Sequence, residues 1–223
     1  MIKAVIFDAD GPLYYRTGDV ADQKQKLLQN YGYQGDIQNF ETNYDNEKFK
    51  GYIAEETPAE MFRIILASIG LDVSLKKAQT FADAFDALQS QVTATPDARD
   101  VLKELKAECY STCVLTDSLY STKVKWPWFE RLGLKPYLDD MVSSIDIKKL
   151  KSTPEAYQTC LDRLHVAAAD AVFVGHQQYE MDGAKAAEVI SIAVLPIATP
   201  DIRSDYTVDS LSELPALLRQ LTI

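Results

Sequence analysis

A doubly wound α/β fold, a parallel sheet covered by helices on both faces and interrupted by one helical insertion, is predicted by three features of this 223-residue sequence. The apolar run Ile2 to Phe7 breaks on Asp8-Ala9-Asp10-Gly11-Pro12-Leu13, so a strand buried on both faces ends in two carboxylates and a glycine turn. From Thr95 onward, short apolar runs alternate with amphipathic segments over short connections, the pattern of β-α units in a parallel sheet. Residues 15–93 between them read as helical, without a strand of comparable quality. The first strand cannot cover both its faces alone and must join the later ones. Residues 1–14 and 94–223 are therefore expected to form one core, and 15–93 an inserted helical unit.

In the insertion, Thr57-Pro58-Ala59-Glu60 combines a capping box with proline at the first helical position; Phe62, Ile65 and Ile69 follow on one face, and Gly70 stands at the stop. After Ser74, the positions Ala78, Phe81, Phe85, Leu88 and Val92 recur at three- and four-residue steps and define a second long helix. Two such stripes bury each other in a small bundle. Residues 31–52, rich in Tyr, Asn and Asp, read as loop and short helix. The core resumes at Thr95-Pro96 with a helix that turns Val101, Leu102 and Leu105 inward. Strands are then expected at Ser111 to Leu115, Met141 to Ile145, Ala171 to Val174, Ser191 to Leu195 and Tyr206 to Val208. Helices are expected at Ser121 to Leu132, Pro154 to Leu164, Glu180 to Glu188 and Leu211 to Leu221.

The net charge of −10 and pI near 4.7 leave no support for binding a nucleic-acid backbone. A small anionic substrate would need a locally positive pocket. Cys109, Cys113 and Cys160, an odd number without metal-ligand spacing, read as reduced core thiols, which favours a cytoplasmic protein. No run of roughly eighteen apolar residues occurs, so neither membrane insertion nor export is expected.

Strand ends of a parallel sheet converge on one edge, and polar residues just after each apolar run are the candidates for a shared site. Asp8 and Asp10 come first. Thr116-Asp117-Ser118 follows Cys113-Val114-Leu115, where a hydroxyl and free N–H groups at a helix entry can hold an anion. Lys151 precedes Ser152-Thr153-Pro154-Glu155, a helix start. Gly175-His176-Gln177-Gln178-Tyr179-Glu180-Met181-Asp182-Gly183 brings further acids to the same edge. Singly, each has an ordinary explanation: an Asp-Gly turn, a threonine cap, a lysine solvated beside Lys148 and Lys149. Their convergence gives them weight.

Taken in order, these segments resemble the haloacid dehalogenase superfamily over nearly the whole core, in the manner of phosphoglycolate phosphatases and β-phosphoglucomutase-like proteins. Phe7 to Leu13 looks like its first motif, Leu115 to Ser118 its second, Lys151 with Pro154 its third, and Val174 to Ala187 its fourth. The insertion is similar to the family's helical cap of the first class, set in a Rossmann-like core. The resemblance implies a magnesium-dependent phosphatase acting on a small phosphorylated metabolite. In it Asp8 attacks phosphorus, Asp10 serves as acid and then base, and Thr116, Asp117 and Lys151 hold the phosphoryl group. Mg²⁺ is implied at Asp8, Asp10 and Glu180. A phosphomutase shares these motifs, and a silent ligand-binding member is the other alternative. The halide-removing branch usually carries an aromatic residue where this chain has Asp10. Where the fourth motif usually reads Gly-Asp, this chain has Gly175-His176, and Glu180 stands opposite the usual second acid. Glu180 is therefore expected to supply the metal-site carboxylate, Asp182 to be a first-turn helix acid, and His176 to be a neutral neighbour. His165, at a helix end, is expected to be structural.

Overall fold

The computed structural model of the chain describes residues 1–221 apart from Thr17 and Asp19. In chain order its elements are β1 (Ala4–Phe7), β2 (Tyr14–Arg16), α1 (Val20–Asn30), α2 (Ile37–Tyr52), α3 (Pro58–Ser68), α4 (Leu75–Gln89), β3 (Val92–Ala94), α5 (Ala98–Ala107) and β4 (Ser111–Thr116). There follow α6 (Thr122–Arg131), β5 (Asp140–Ser143), α7 (Ser144–Ile147), α8 (Pro154–Leu164), β6 (Ala171–Gly175), α9 (Gln178–Ala186), β7 (Ile190–Val194), β8 (Tyr206–Val208) and α10 (Leu214–Leu221). They divide into two compact units, Met1–Tyr15 with Ala94–Ile223, and Arg16–Thr93.

The first unit is built on a six-stranded sheet in the order β5-β4-β1-β6-β7-β8, with parallel pairing throughout. Connections run outward from β1 to β4 and β5 on one side and to β6, β7 and β8 on the other, so a crevice opens beside the C-terminal end of β1. Register brings the site together: Phe7 faces Val114 on one neighbour and Val174 on the other. Thus Asp8, Thr116 and His176 all leave the sheet at one edge. Below that edge Ile6, Leu115, Val142, Tyr157 and Phe173 form a buried core with Ala156 and Cys160 of α8 and Met181 and Ala184 of α9. The close approach of α9 depends on Gly183, where a Cβ would lie 1.8 Å from the Lys151 carbonyl oxygen. Only the absence of a side chain lets that helix press on the turn carrying Lys151.

The second unit packs α1–α4 around an aromatic cluster, with Phe62 at 4.9 Å from Phe85 and 5.2 Å from Phe81 between ring centroids. α3 starts on the expected capping box: the Thr57 N–H donates to Glu60 Oε2 at 2.9 Å and the Glu60 N–H to Thr57 Oγ1 at 3.3 Å.

Four features differ from the sequence expectation. Residues 37–52 form one continuous helix rather than loop and short helix: Asp36 caps it by accepting from the Gln38 N–H at 3.0 Å, and Phe40 and Tyr44 supply its inner face to the aromatic cluster. Val92 is not in the helix of Phe81 and Phe85, which stops at Gln89; it lies in β3, which pairs with β2 where the chain passes between units. The strand expected over Met141 to Ile145 ends at Ser143 and turns into α7. Cys109 is exposed rather than a core thiol: it lies in the turn after α5, at φ 64°, whereas Cys113 and Cys160 are buried. Among the described residues, no helix is long and apolar enough to cross a membrane.

Candidate active site

Asp8 is fixed from the backbone outward. Its N–H donates to the Val174 carbonyl at 2.8 Å, which extends the ladder one residue past β1 and aims the carboxylate over the sheet edge. The chain then turns tightly, with Gly11 at φ +95° and the Leu13 and Tyr14 N–H groups both donating to the Ala9 carbonyl. Asp10 sits partly exposed in this loop. Thr95 ties the loop down, donating from Oγ1 to the Gly11 carbonyl at 2.7 Å and from its N–H to the Leu13 carbonyl at 3.0 Å.

Lys151 enters from the turn before α8. Its Nζ donates to Asp8 Oδ1 at 2.6 Å and also to Glu180 Oε1. Its own N–H donates to the Asp117 carboxylate at 3.1 Å, so Asp117 grips the lysine's backbone from the end of β4. Glu180 has both oxygens engaged: Oε1 takes the ammonium, while Oε2 accepts the His176 and Gln177 N–H groups, each at 3.1 Å, as the acid of a capping box at the start of α9. Tyr157 donates its hydroxyl to the Glu180 carbonyl at 2.6 Å. His176 places Nδ1 3.2 Å from Asp8 Oδ2 and 3.9 Å from Glu180 Oε2, near both carboxylates without the alignment of a hydrogen bond.

The charges follow from this packing. Burial pushes the Asp8 carboxyl up, but the Lys151 ammonium and His176 outweigh it and hold the group down at about 2. Burial opposes the charge on Lys151, yet Asp8 and Glu180 raise its pKa well above the ordinary value. Burial lowers the His176 pKa, and contact with Asp8 more than reverses that. Asp117 is pushed up to about 6 by burial, with Lys151 acting against the rise. At neutral pH the site thus holds an ionised Asp8 against a charged lysine.

The structure gathers Asp8, Asp117, Lys151, His176 and Glu180 by direct contacts. Thr116 lies on the neighbouring strand and Asp10 in the loop that Asp8 opens. Asp182 is exposed on the outer side of α9, accepting from Gln178 Nε2 at 2.8 Å. His165 is the C-cap of α8, at φ 55°. One buried polar residue at this edge escaped the sequence reading. Lys125, on α6, donates from Nζ to Thr116 Oγ1 at 2.8 Å. The signal was its place three and four residues before Trp128 and Phe129, on the inward stripe of the helix.

Asp8, His176 and Glu180 each offer a ligand atom, all within 4.8 Å of one another, a group able to hold a divalent ion. Two carboxylates with a ring nitrogen are a chemically suitable donor set for one.

An ionised carboxylate braced by a buried lysine thus sits at the switch point of a doubly wound sheet, the edge at which α/β enzymes bind their ligands. The chain belongs to the haloacid dehalogenase-like hydrolases, whose family model matches residues 5–194. It is 27% identical over 230 residues to a glyceraldehyde 3-phosphate phosphatase of Methanocaldococcus jannaschii, covering 99% of each chain. It is 31% identical over 136 residues to an (S)-2-haloacid dehalogenase of a Pseudomonas species, covering 59% of each. In fold it matches the crystal structure of a predicted phosphoglycolate phosphatase from Haemophilus somnus, with TM-score 0.76, 17% identity, and coverage of 97% of this chain and 98% of the other.

Proposed function

We propose that the protein is a phosphatase that hydrolyses a small phosphate monoester through an aspartyl-phosphate on Asp8. The buried contact of 2.6 Å between Lys151 Nζ and Asp8 Oδ1 carries this reading. A carboxylate attacking a phosphate dianion meets like-charge repulsion, and a permanent cation held against it offsets that repulsion before substrate arrives. The full-length likeness to a protein named as a phosphatase supports the same choice.

In the first step an Asp8 oxygen bonds to phosphorus, the ester P–O bond breaks, and Asp10 gives its proton to the departing alkoxide. In the second, Asp10 takes a proton from water, whose oxygen attacks phosphorus and releases phosphate and the Asp8 carboxylate. Lys151 and Thr116 hold the phosphoryl oxygens, with Asp117 fixing Lys151. The divalent ion is proposed to be magnesium, held by Asp8, the Asp10 carbonyl and Glu180, directly or through water, beside His176. When bound it supplies positive charge against the nucleophile and the phosphoryl group. Residues 15–93 are proposed to act as the cap that selects the leaving portion of the substrate.

The test is magnesium-dependent release of phosphate from a generic aryl phosphate. Release by the parent protein, and none by Asp8→Asn, is the expected result. Turnover equal to the parent in Asp8→Asn would overturn the covalent route.

A further inference from the structure

We propose that Lys125 is a positioning residue for phosphoryl binding, acting through Thr116. The inference rests on the phosphatase reading of the site and adds to it a residue outside the family motifs.

A threonine hydroxyl can accept and can donate its single proton, and free rotation leaves open which it offers. Thr116, at the end of β4, is 3% exposed, and Lys125 places its ammonium 2.8 Å from Oγ1. An ammonium only donates. The hydroxyl oxygen must therefore accept from it, and the hydroxyl proton must point to another acceptor. Thr116 lies one strand from Asp8 at the edge where the phosphoryl group is proposed to bind, and a phosphoryl oxygen there meets a hydroxyl committed to donating. The adjacent positive charge also polarises that O–H and strengthens the bond it makes to an anion.

The cost of this arrangement argues for a purpose. Lys125 is 2% exposed, and burying an ammonium is unfavourable unless its surroundings answer the charge. They do so on more than one side: Nζ lies 5.6 Å from the Tyr14 ring centroid and 5.7 Å from that of Trp128, both within cation-π range. Lys123, two residues earlier on the same helix, stays exposed. The fold thus holds one particular lysine inward, at a fixed point over the Thr116 hydroxyl.

The experiment measures inorganic phosphate binding by calorimetry, and kcat and KM for an aryl phosphate, in Lys125→Met, Thr116→Val and the double variant. Each single change is expected to weaken phosphate binding about tenfold or more, as for loss of a hydrogen bond to a charged group. The double variant is expected to be no weaker than Thr116→Val. Losses that multiply in the double variant, or parental phosphate affinity in Lys125→Met, would overturn the proposal. If Lys125→Met does not fold, Lys125→Gln carries the test: a weakened phosphate affinity that Thr116→Val does not worsen supports the pair, and parental affinity refutes it. Because phosphate binding is read without turnover, a parent that binds phosphate but cleaves no ester refutes the phosphatase reading and leaves the pair standing. A parent that binds no phosphate refutes both.

Discussion

Lys151 Nζ stands 2.6 Å from Asp8 Oδ1, with neither side chain more than 4% exposed, and the same ammonium reaches Glu180. One buried cation therefore serves two buried anions, and the three side chains do not contribute equally. Removing Lys151 strands both carboxylates, whereas Asp8→Asn leaves the lysine with Glu180. Lys151→Met is expected to destabilise the fold by about 3–5 kcal/mol, the usual cost of breaking a buried pair, and Asp8→Asn by clearly less. Both should lack turnover. Urea unfolding at pH 7 gives the order, and equal losses in the two variants would contradict the shared-cation account.

Asp117 gives a pH signature. Its carboxyl is raised from 3.8 to about 6, mainly by burial, with Lys151 lowering it and Asp8 and Glu180 raising it. A raised folded pKa means stability that is complete below the unfolded value near 4 and is lost as pH rises through about 6. Asp117→Asn keeps an acceptor for the Lys151 N–H and removes that loss. At pH 7.5 the variant is expected to be more stable than the parent, by on the order of 2–3 kcal/mol, and at pH 4 the advantage should vanish. Melting temperatures at the two pH values decide it; a gap that does not change between them contradicts the assignment.

Gly183 is expected to be irreplaceable for a reason of space. A Cβ there would meet the Lys151 carbonyl at 1.8 Å, a backbone atom that cannot rotate away. Gly183→Ala must push α9 off the Lys151 turn, which separates Glu180 from Lys151. A loss of at least 2 kcal/mol of stability, together with a lower kcat, is expected, as for overpacking of a well-packed interior. Gly70→Ala is the control: no atom lies within 4 Å of its Cβ, so only the strain of φ +87° is added and kcat should hold.

The core was legible because its signals are local. An apolar run closed by Asp8-Ala9-Asp10-Gly11 needs no partner to be recognised, and in the insertion the Thr57 capping box and the stripe of Ala78, Phe81 and Phe85 name their helices unaided. α2 was hidden because its inner face is carried by Phe40 and Tyr44 among Asn, Asp and Glu, so apolar periodicity is faint until Phe62, Phe81 and Phe85 supply the other wall. β2 and β3 are three residues each and exist through each other. At the site, the residue types at the sheet edge were readable, but their partners were not. That Glu180 spends one oxygen on a helix cap and the other on Lys151, or that Asp117 faces a backbone N–H, is a matter of tertiary distance. Lys125 escaped the reading because a lysine on an apolar stripe says nothing of its partner, and only the fold put Thr116 under it.

His176 leads to the last prediction. Of the three groups able to hold a cation, Glu180 already answers two N–H groups and an ammonium, whereas His176 Nδ1 and Asp8 Oδ2 converge at 3.2 Å without an aligned hydrogen bond. Position 176 therefore stands beside the proposed ligands Asp8 and Glu180, close enough to add a donor to them. A ring nitrogen suits borderline ions such as Mn²⁺, while Mg²⁺ favours hard oxygen ligands. The parent is expected to bind Mn²⁺ more tightly than Mg²⁺. His176→Asp, by adding a carboxylate beside Asp8, should lower the apparent magnesium dissociation constant by about tenfold, and His176→Gln should weaken manganese without that gain. The measurement is melting temperature titrated with each chloride salt after chelator treatment, since an ion that binds only the folded chain raises it with the logarithm of its concentration over its dissociation constant. Parallel activity titrations follow the same order if the bound ion is the one that serves the reaction. Identical magnesium curves for the parent and His176→Asp would place the cation away from position 176 and leave the histidine as a fixed neighbour of the Asp8 carboxylate.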